Sequence, residues 1–193
     1  MTVQTLDLVR YDLRPLELTD SGYLARWLSD PKLSAALAIP ARPHSRDDAA
    51  RYILSLGQGA MLTSGIVERM TGHLVALTAN YHDPRHRTVH YNLVIGEAGS
   101  RGPTAHVAMT MLVFDWLFQD YGIEKIAVRT QATRRRLAEL MEDLGIRREG
   151  ILVGETVSAD GQSRIDQFAH GILAAEWPNA RANAEAFLRE TAR

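Results

Sequence analysis

Three glycines spaced three residues apart, with one arginine among them, separate two apolar stretches of the chain. The stretch reads "VIGEAGSRGPTAHVAM" and contains Gly96, Gly99, Arg101 and Gly102. A strand that passes through glycines directly into a helix leaves the first N–H groups of that helix without partners. Those groups and the positive end of the helix dipole bind anions, and an arginine adds a forked, permanently charged contact. The stretch therefore predicts a phosphate or diphosphate site.

Three interpretations of the glycine stretch compete. It could be a turn that binds nothing, because glycines commonly punctuate chains. It could be a dinucleotide-binding turn, but that motif requires G-x-G-x-x-G after the first strand of a βαβ unit. Here the spacing is G-x-x-G-x-x-G and three antiparallel-looking strands come first. The third interpretation is a loop that binds the pyrophosphate of an acyl-coenzyme A.

A run of arginines is the second feature that could bind an anion. Arg134, Arg135 and Arg136 fall in the first turn of a predicted helix, which is the unfavourable end for cations. The run could be a solvated face, or it could meet the phosphates of coenzyme A, with Arg134 as the preferred contact. No aromatic platform accompanies the arginines, so a nucleic-acid partner is not expected.

Strands and helices that would position these residues follow from the hydrophobic patterning. Strands are predicted at residues 6–15, 61–70, 71–81, 88–97, 123–130, 149–157 and 163–173. Helices are predicted at residues 19–30, 45–57, 104–121 and 133–146, with a short helical tail from about residue 178. This order predicts an α/β (α+β) fold with a mixed, mostly antiparallel sheet of six to seven strands flanked by helices. Residues 1–193 are interpreted as one domain.

Composition excludes several kinds of chemistry. The chain has no cysteine, so disulfides, thiolate nucleophiles and cysteine-ligated zinc are excluded. The net charge of -1 gives no general attraction to nucleic acid or membranes. No signal peptide or spanning segment is predicted, and a cytoplasmic location is expected.

His82, His86 and His90 recur every four residues, but Pro84 interrupts any helix there, so no metal site is expected.

Longer stretches of the chain resemble one superfamily. The stretches "LRPLELTDSGYLARWLSDPKL", "NLVIGEAGSRGPTAHVAM", "RRRLAELMEDLGIRREG" and "DQFAHGILAAEW" are similar to parts of the GCN5-related N-acetyltransferases. The resemblance is to the ribosomal-protein-acetylating type within that superfamily and covers nearly the whole chain in element order. It implies the acyl-coenzyme A N-acyltransferase fold and acetyl-coenzyme A as co-substrate.

The resemblance also implies which residues meet the coenzyme. The central strand, whose backbone faces the thioester and pantetheine, contains Val94 and Ile95. The loop and helix start implied to surround the pyrophosphate contain Arg101, Gly102, Thr104 and Ala105. Arg134 falls where the family often has an asparagine that contacts the cofactor.

Pro103 departs from the Q/R-x-x-G-x-G/A loop pattern of the family, because proline lacks an N–H donor. In the first helical turn that donor is not needed, whereas inside the phosphate cradle its loss would weaken coenzyme binding.

The acid and base that the reaction needs are not at the positions implied by the resemblance. Many relatives use a tyrosine on the later helix as the acid, and aligning on Gly145 places Met141 there. A serine used in parts of the family falls at Leu137. His90 and Tyr91 on the central strand are the predicted catalytic residues, and they point to opposite faces of the sheet. Glu97 and Asp166 are further candidates.

The leading hypothesis is an enzyme that transfers acetyl from acetyl-coenzyme A directly to a primary amine. The acceptor would be a small amine, an amino sugar or a peptide N-terminus. The alternative is a domain of the same fold that binds coenzyme A or another anion without efficient turnover, as a sensor or interaction module. A monomer or a homodimer is expected.

Overall fold

The structure, a computed structural model, describes residues 10–57 and 59–191. Within these ranges the strands are β1 Tyr11–Arg14, β2 Met61–Glu68, β3 Leu74–Asp83, β4 Thr88–Tyr91, β5 Leu93–Ile95, β6 Lys125–Gln131, β7 Arg147–Val157 and β8 Arg164–Leu173. The α-helices are α1 Ser21–Leu28, α2 Pro31–Leu37, α3 Arg46–Leu56, α4 Pro103–Asp120, α5 Arg135–Asp143 and α6 Trp177–Thr191. Short 3₁₀ turns at Leu18–Asp20 and Ala98–Ser100 lie ahead of α1 and α4.

The strands form one mixed sheet in the order β1-β2-β3-β4-β6-β8-β7, and β5 pairs with β3. Neighbouring strands are antiparallel except β4 and β6, which are parallel and are connected through β5 and α4. The predicted mixed, mostly antiparallel sheet with flanking helices is therefore confirmed. The stretch 88–97 differs from its prediction, because it forms two strands instead of one.

Helices cover both faces of the sheet. One apolar cluster joins the sheet to α4, α5 and α6, and a second joins it to α1, α2 and α3. Along β5, Leu93 and Ile95 pack against the first cluster and Val94 against the second. Successive side chains of a strand point to opposite faces, so the clusters lie on opposite sides of the sheet.

α4 is central to the first cluster. Its length and apolar composition predict a buried helix, and Met109, Phe114 and Leu117 are fully buried. α6 packs against it, and the indole N–H of Trp177 donates to Asp115 at 2.8 Å. The predicted C-terminal tail is thus a longer helix that begins one residue before 178 and contributes to the core.

One helix was not predicted from the sequence. The predicted helix at residues 19–30 ends as α1 at Leu28, and Asp30-Pro31 then begins α2. Asp30 caps α2 by accepting from the Lys32 N–H at 2.9 Å, and a proline is well suited to the first helical position. Residues 6–9 of the predicted first strand lie outside the described residues. In the part of the chain that the structure describes, no helix is long and apolar enough to cross a membrane.

Candidate active site

A gap opens in the sheet where β4 ends. β4 pairs with β6 up to Tyr91, opposite Val128. After Asn92 the chain moves away from β6 and pairs as β5 with β3. Because no strand fills the space between β5 and the end of β6, the sheet is split at this point, and the split lies at its centre.

Two buried polar residues of β3 stabilise the separation of β5 from β6. The Thr78 hydroxyl donates to the Asn92 carbonyl at 2.9 Å, and the Asn80 side-chain oxygen accepts from the Asn92 N–H at 3.0 Å. The Asn80 amide nitrogen donates in turn to the Leu62 carbonyl at 3.0 Å. Both β3 side chains are fully buried. They satisfy the backbone groups of Asn92 that a continuous strand would have satisfied, which stabilises the divergence of β5 from β6.

We expect Asn80→Leu to destabilise the protein by about 1–3 kcal/mol, because it removes the side-chain acceptor of the Asn92 N–H and the side-chain donor to the Leu62 carbonyl. Affinity for acetyl-coenzyme A should fall with it, because β5 would no longer be held apart from β6. Chemical denaturation and calorimetric titration measure the two effects. Thr63→Val on β2 is the control, and equal stability of both variants would contradict this role of Asn80.

The backbone of β5 presents polar groups to the gap. In antiparallel pairing, successive residues turn their N–H and C=O groups alternately toward and away from the partner strand. The Asn92 carbonyl accepts from β3 at 3.2 Å and the Gly96 N–H donates to β3 at 3.0 Å. Val94 shares their register, so Leu93 and Ile95 turn their groups toward the gap. Of the two predicted strand residues, Ile95 therefore faces the cleft with its backbone, and Leu93 joins it.

A cleft of two connected compartments extends from the gap to the start of α4. The outer compartment has a volume of about 490 Å³ and the inner one about 160 Å³. Both are lined by Ala36, Leu37, Leu93, His106, Arg134 and Leu137. α2, which the sequence did not predict, supplies one wall.

The first turn of α4 faces the outer compartment, which Gly102 and Pro103 line. Among the described residues, the N–H groups of Gly102, Thr104 and Ala105 have no hydrogen-bond partner. Pro103 occupies the first helical position, where its missing donor is not needed. A side-chain carbon added to Gly102 would meet nothing within 4 Å. The backbone is therefore open to an anion.

Unpaired cations surround the same compartment. Lys32, Arg134 and Arg136 line it, and none of their side chains has an ion-pair or hydrogen-bond partner among the described residues. In the part of the chain that the structure describes, no aspartate or glutamate lines either compartment. Burial lowers the pKa of Arg134, which lies at the N-cap of α5. Free N–H donors and unpaired cations fit the diphosphate and phosphate groups of coenzyme A.

Arg101 lines the outer compartment, but most of the N–H donors of its guanidinium group already have acceptors. Its side chain donates to the carbonyls of Ile95 and Gly96 at 3.2 and 2.6 Å and pairs with Asp30 at 3.0 Å. These contacts tie the end of β5 to the cap of α2. Arg101 therefore positions the walls of the cleft, and its forked contact to a diphosphate stays a prediction.

Gly96 is needed for packing against the first helix. A side-chain carbon at Gly96 would lie 1.9 Å from the Trp27 ring. The Trp27 indole donates to Glu97 at 2.9 Å, and Arg26 pairs with the same carboxylate. Glu97, a candidate acid or base, is thus engaged away from the cleft lining.

Tyr91 belongs to the core. It is buried, its hydroxyl is hydrogen-bonded to the Thr110 hydroxyl at 3.0 Å, and its ring packs edge-on against Phe114. Burial raises the pKa of the phenol. The hydroxyl joins β4 to α4, so this geometry does not support the predicted catalytic role of Tyr91.

His90 lies on the other face, in a third cavity of about 410 Å³. This cavity shares Asn92, Arg129 and Gln167 with the inner compartment, so the two cavities adjoin across the sheet at the gap. Burial and the neighbouring Arg129 lower the pKa of His90 below the ordinary 6.5. Arg129 is paired with Glu155 at 2.8 Å in the same cavity.

The positions implied for an acid face the cleft but cannot donate. Met141 lines the inner compartment and Leu137 lines both compartments. Asp166 accepts from the Gly154 N–H at 2.7 Å and so holds the β7–β8 hairpin. His106, on the second turn of α4, is the titratable cleft residue that the sequence analysis missed. Its place within an otherwise small and apolar helix start was the available signal.

No metal-binding cluster of side chains is found in the described ranges 10–57 and 59–191. Within them, no group of three or more histidine, cysteine, aspartate or glutamate side chains could hold a metal ion.

A split in the central sheet, a helix start with open N–H groups beside it and a cavity opposite are the arrangement expected of a coenzyme-dependent acyl-group transferase. The family model described as an acetyltransferase (GNAT) domain matches residues 10–147. The chain belongs to this family and is an N-acetyltransferase. No curated protein matches the chain.

Solved structures share the fold at low sequence identity. A spermidine N-acetyltransferase from Vibrio cholerae in complex with CoA and spermine is 18% identical, with a TM-score of 0.77 over 88% of this chain and 98% of that one. A GCN5-related N-acetyltransferase from Brucella melitensis is 20% identical, with a TM-score of 0.75 over 93% and 82%. A GNAT-family acetyltransferase from Bacillus anthracis is 17% identical, with a TM-score of 0.71 over 86% and 96%.

Proposed function

We propose that the protein transfers acetyl from acetyl-coenzyme A directly to a primary amine that enters from the opposite face of the sheet. The observation that carries this proposal is the gap between β5 and β6. It lies between a cleft lined by N–H groups and cations that have no partners among the described residues and a polar cavity on the other face. Two substrates bound on opposite sides could meet in the gap, and their alignment would supply much of the rate.

The backbone facing the gap supplies electrostatic stabilisation. An N–H group of Leu93 or Ile95 donates to the thioester oxygen as it gains negative charge. Arg134 lines the outer compartment and adds a positive charge for the diphosphate. Gly102, Thr104 and Ala105 hold the diphosphate through their N–H groups, with Lys32 and Arg136 nearby.

His90 accepts the amine proton, directly or through water. Its lowered pKa keeps the imidazole neutral at pH 7, as a base requires. His90→Gln should lower kcat/KM for the amine about tenfold or more and leave acetyl-coenzyme A affinity unchanged. When wild-type kcat/KM is plotted against pH, the loss of activity on the acidic side should occur below pH 6.5. This loss should be absent from the variant. An unchanged loss in His90→Gln would contradict the assignment.

The acceptor cavity favours a monoamine or a peptide N-terminus over a polyamine. Its one lining carboxylate, Glu155, is already paired with Arg129. A polyamine carries several ammonium groups, and burying each of them requires an unpaired carboxylate. A peptide acceptor would agree with the resemblance to the ribosomal-protein-acetylating type. The structural neighbour with bound spermine is therefore a guide to the fold and not to this acceptor.

Thermal shift with acetyl-coenzyme A, followed by thiol release across an amine panel, tests the function. The panel contains monoamines, amino sugars, short peptides and spermidine. We expect a higher melting midpoint and thiol release with at least one monoamine or peptide, at a rate well above that with spermidine. No shift with acetyl-coenzyme A would overturn the proposal, and spermidine as the best acceptor would overturn the choice of substrate class.

The second candidate is a coenzyme-binding domain without efficient turnover. Met141 and Leu137 favour it, because both face the cleft where a proton donor would be needed. A thermal shift with acetyl-coenzyme A but no thiol release with any amine would select this function. A shift with NAD alone would favour the dinucleotide interpretation.

A further inference from the structure

His106 stands where the two compartments of the cleft meet. It lines both compartments, and so does Arg134. Neither ring nitrogen of His106 has a hydrogen-bond partner in the described ranges. The imidazole is half-buried and directed into the space that the proposed co-substrate would fill.

Among the described residues, the charged side chains that line the two compartments are all cationic, and two of them, Arg101 and Arg129, are paired with Asp30 and Glu155 outside the lining. They come from α2, the loop before α4, α5 and β6, and they are Lys32, Arg101, Arg134, Arg136 and Arg129. Tyr91 of β4 is the other titratable lining group and stays neutral, because burial raises its pKa. Burial, followed by the charge of Arg134, lowers the pKa of His106 to about 4. In the free protein His106 is therefore a neutral side chain in a positive field.

We infer that His106 binds the diphosphate of coenzyme A beside Arg134 and takes up a proton when that anion binds. This inference rests on the proposed function. The N–H groups proposed to hold the diphosphate begin at Gly102, and the His106 N–H donates to the Gly102 carbonyl at 3.0 Å. His106 thus lies one helical turn from the proposed anion position. A bound dianion reverses the local potential and stabilises the imidazolium.

The sign of the effect follows from linkage. In the complex His106 keeps its proton to a higher pH than in the free protein. At a pH between the two pKa values of His106, the complex therefore binds more protons than the free protein. Affinity for the coenzyme should therefore rise as the pH falls toward 4, the lower of the two values. At pH 7.5 the effect should be small, because the imidazole is then neutral in both states.

Calorimetric titration with dephospho-coenzyme A tests the inference. This probe keeps the diphosphate but lacks the 3′-phosphate, whose own titration near pH 6 would obscure the result. From pH 7.5 to 5.5 we expect wild-type affinity to rise about fivefold, and affinity of His106→Gln to change less than about twofold. Titrations at pH 5.5 in two buffers of different ionisation enthalpy should show proton uptake in the wild type alone. His86→Gln, an exposed histidine in the β3–β4 turn, is the control and should behave as wild type.

NMR titration of the histidine ring resonances gives a readout without a variant, should His106→Gln fail to fold. One ring should titrate near pH 4 in the free protein and about two units higher in the complex, the rise that a fivefold gain in affinity requires. Equal pH dependence of wild type and His106→Gln, or no ring whose pKa rises on binding, would overturn the inference and leave the proposed function standing. Failure of wild-type protein to bind the probe or acetyl-coenzyme A would overturn both.

Discussion

Met141→Tyr is expected to raise kcat for acetyl transfer about tenfold to a hundredfold, the lower range of what a positioned general acid contributes. Met141 lines the inner compartment from α5, at the position where many members of the resembled superfamily carry a tyrosine acid. A phenol there would give the departing thiolate a proton, which methionine cannot do. Steady-state thiol release at saturating amine and acetyl-coenzyme A measures the effect.

Met141→Phe is the matched control, because it adds the ring without the hydroxyl. Its kcat should stay at or below the wild-type value, and a basic limb should appear in the kcat profile of Met141→Tyr alone as the phenol ionises. Equal kcat in the two variants would show that the wild-type cleft already has an acid or needs none.

Gly96→Ala is expected to destabilise the protein by about 3 kcal/mol or more, and to weaken acetyl-coenzyme A binding. The added carbon would lie 1.9–2.4 Å from three atoms of the Trp27 ring, which is buried and hydrogen-bonded to Glu97. The ring cannot give way without losing this contact, so the strain moves the end of β5 that frames the cleft. Chemical denaturation and calorimetry measure both losses.

Gly99→Ala is the control for the Gly96 substitution, because a carbon there meets nothing within 4 Å and stability should change little. Trp27→Leu removes the obstructing ring. Gly96→Ala should therefore cost at least about 1 kcal/mol less in the Trp27→Leu background than alone. Additive effects in this double-mutant cycle would contradict the role assigned to Gly96.

Local patterning predicted most of the scaffold. Ser45 begins the helix predicted at residues 45–57, and it caps α3 in a reciprocal pair with Asp48. Gly145 falls at the end of the helix predicted at residues 133–146, and it adopts a positive φ of 93° just after α5. These features depend on neighbours a few residues apart, so the sequence carries them directly.

Long-range contacts account for what the sequence could not provide. Continuous β-propensity over 88–97 gave no sign of a break at Asn92, because the break is held by Thr78 and Asn80 on another strand. Two polar residues within the apolar run "LVALTANY" were the available signal. The ion pair between Arg101 and Asp30 likewise joins residues that lie 71 positions apart in the sequence.

The glycines of this stretch are required for two separate structural reasons. Gly96 gives room to an indole from α1, whereas Gly102 leaves the start of α4 open. Both were consistent with an anion-binding loop in the sequence, and only the packing distinguishes them.

Amide NMR on isotopically labelled protein tests the central claim most directly. On titration with acetyl-coenzyme A, we expect the N–H resonances of Gly102, Thr104 and Ala105 to show the largest shifts. Inorganic pyrophosphate should shift the same three in the same direction. Binding that leaves these three amides unmoved would contradict the account, because the diphosphate would then lie elsewhere.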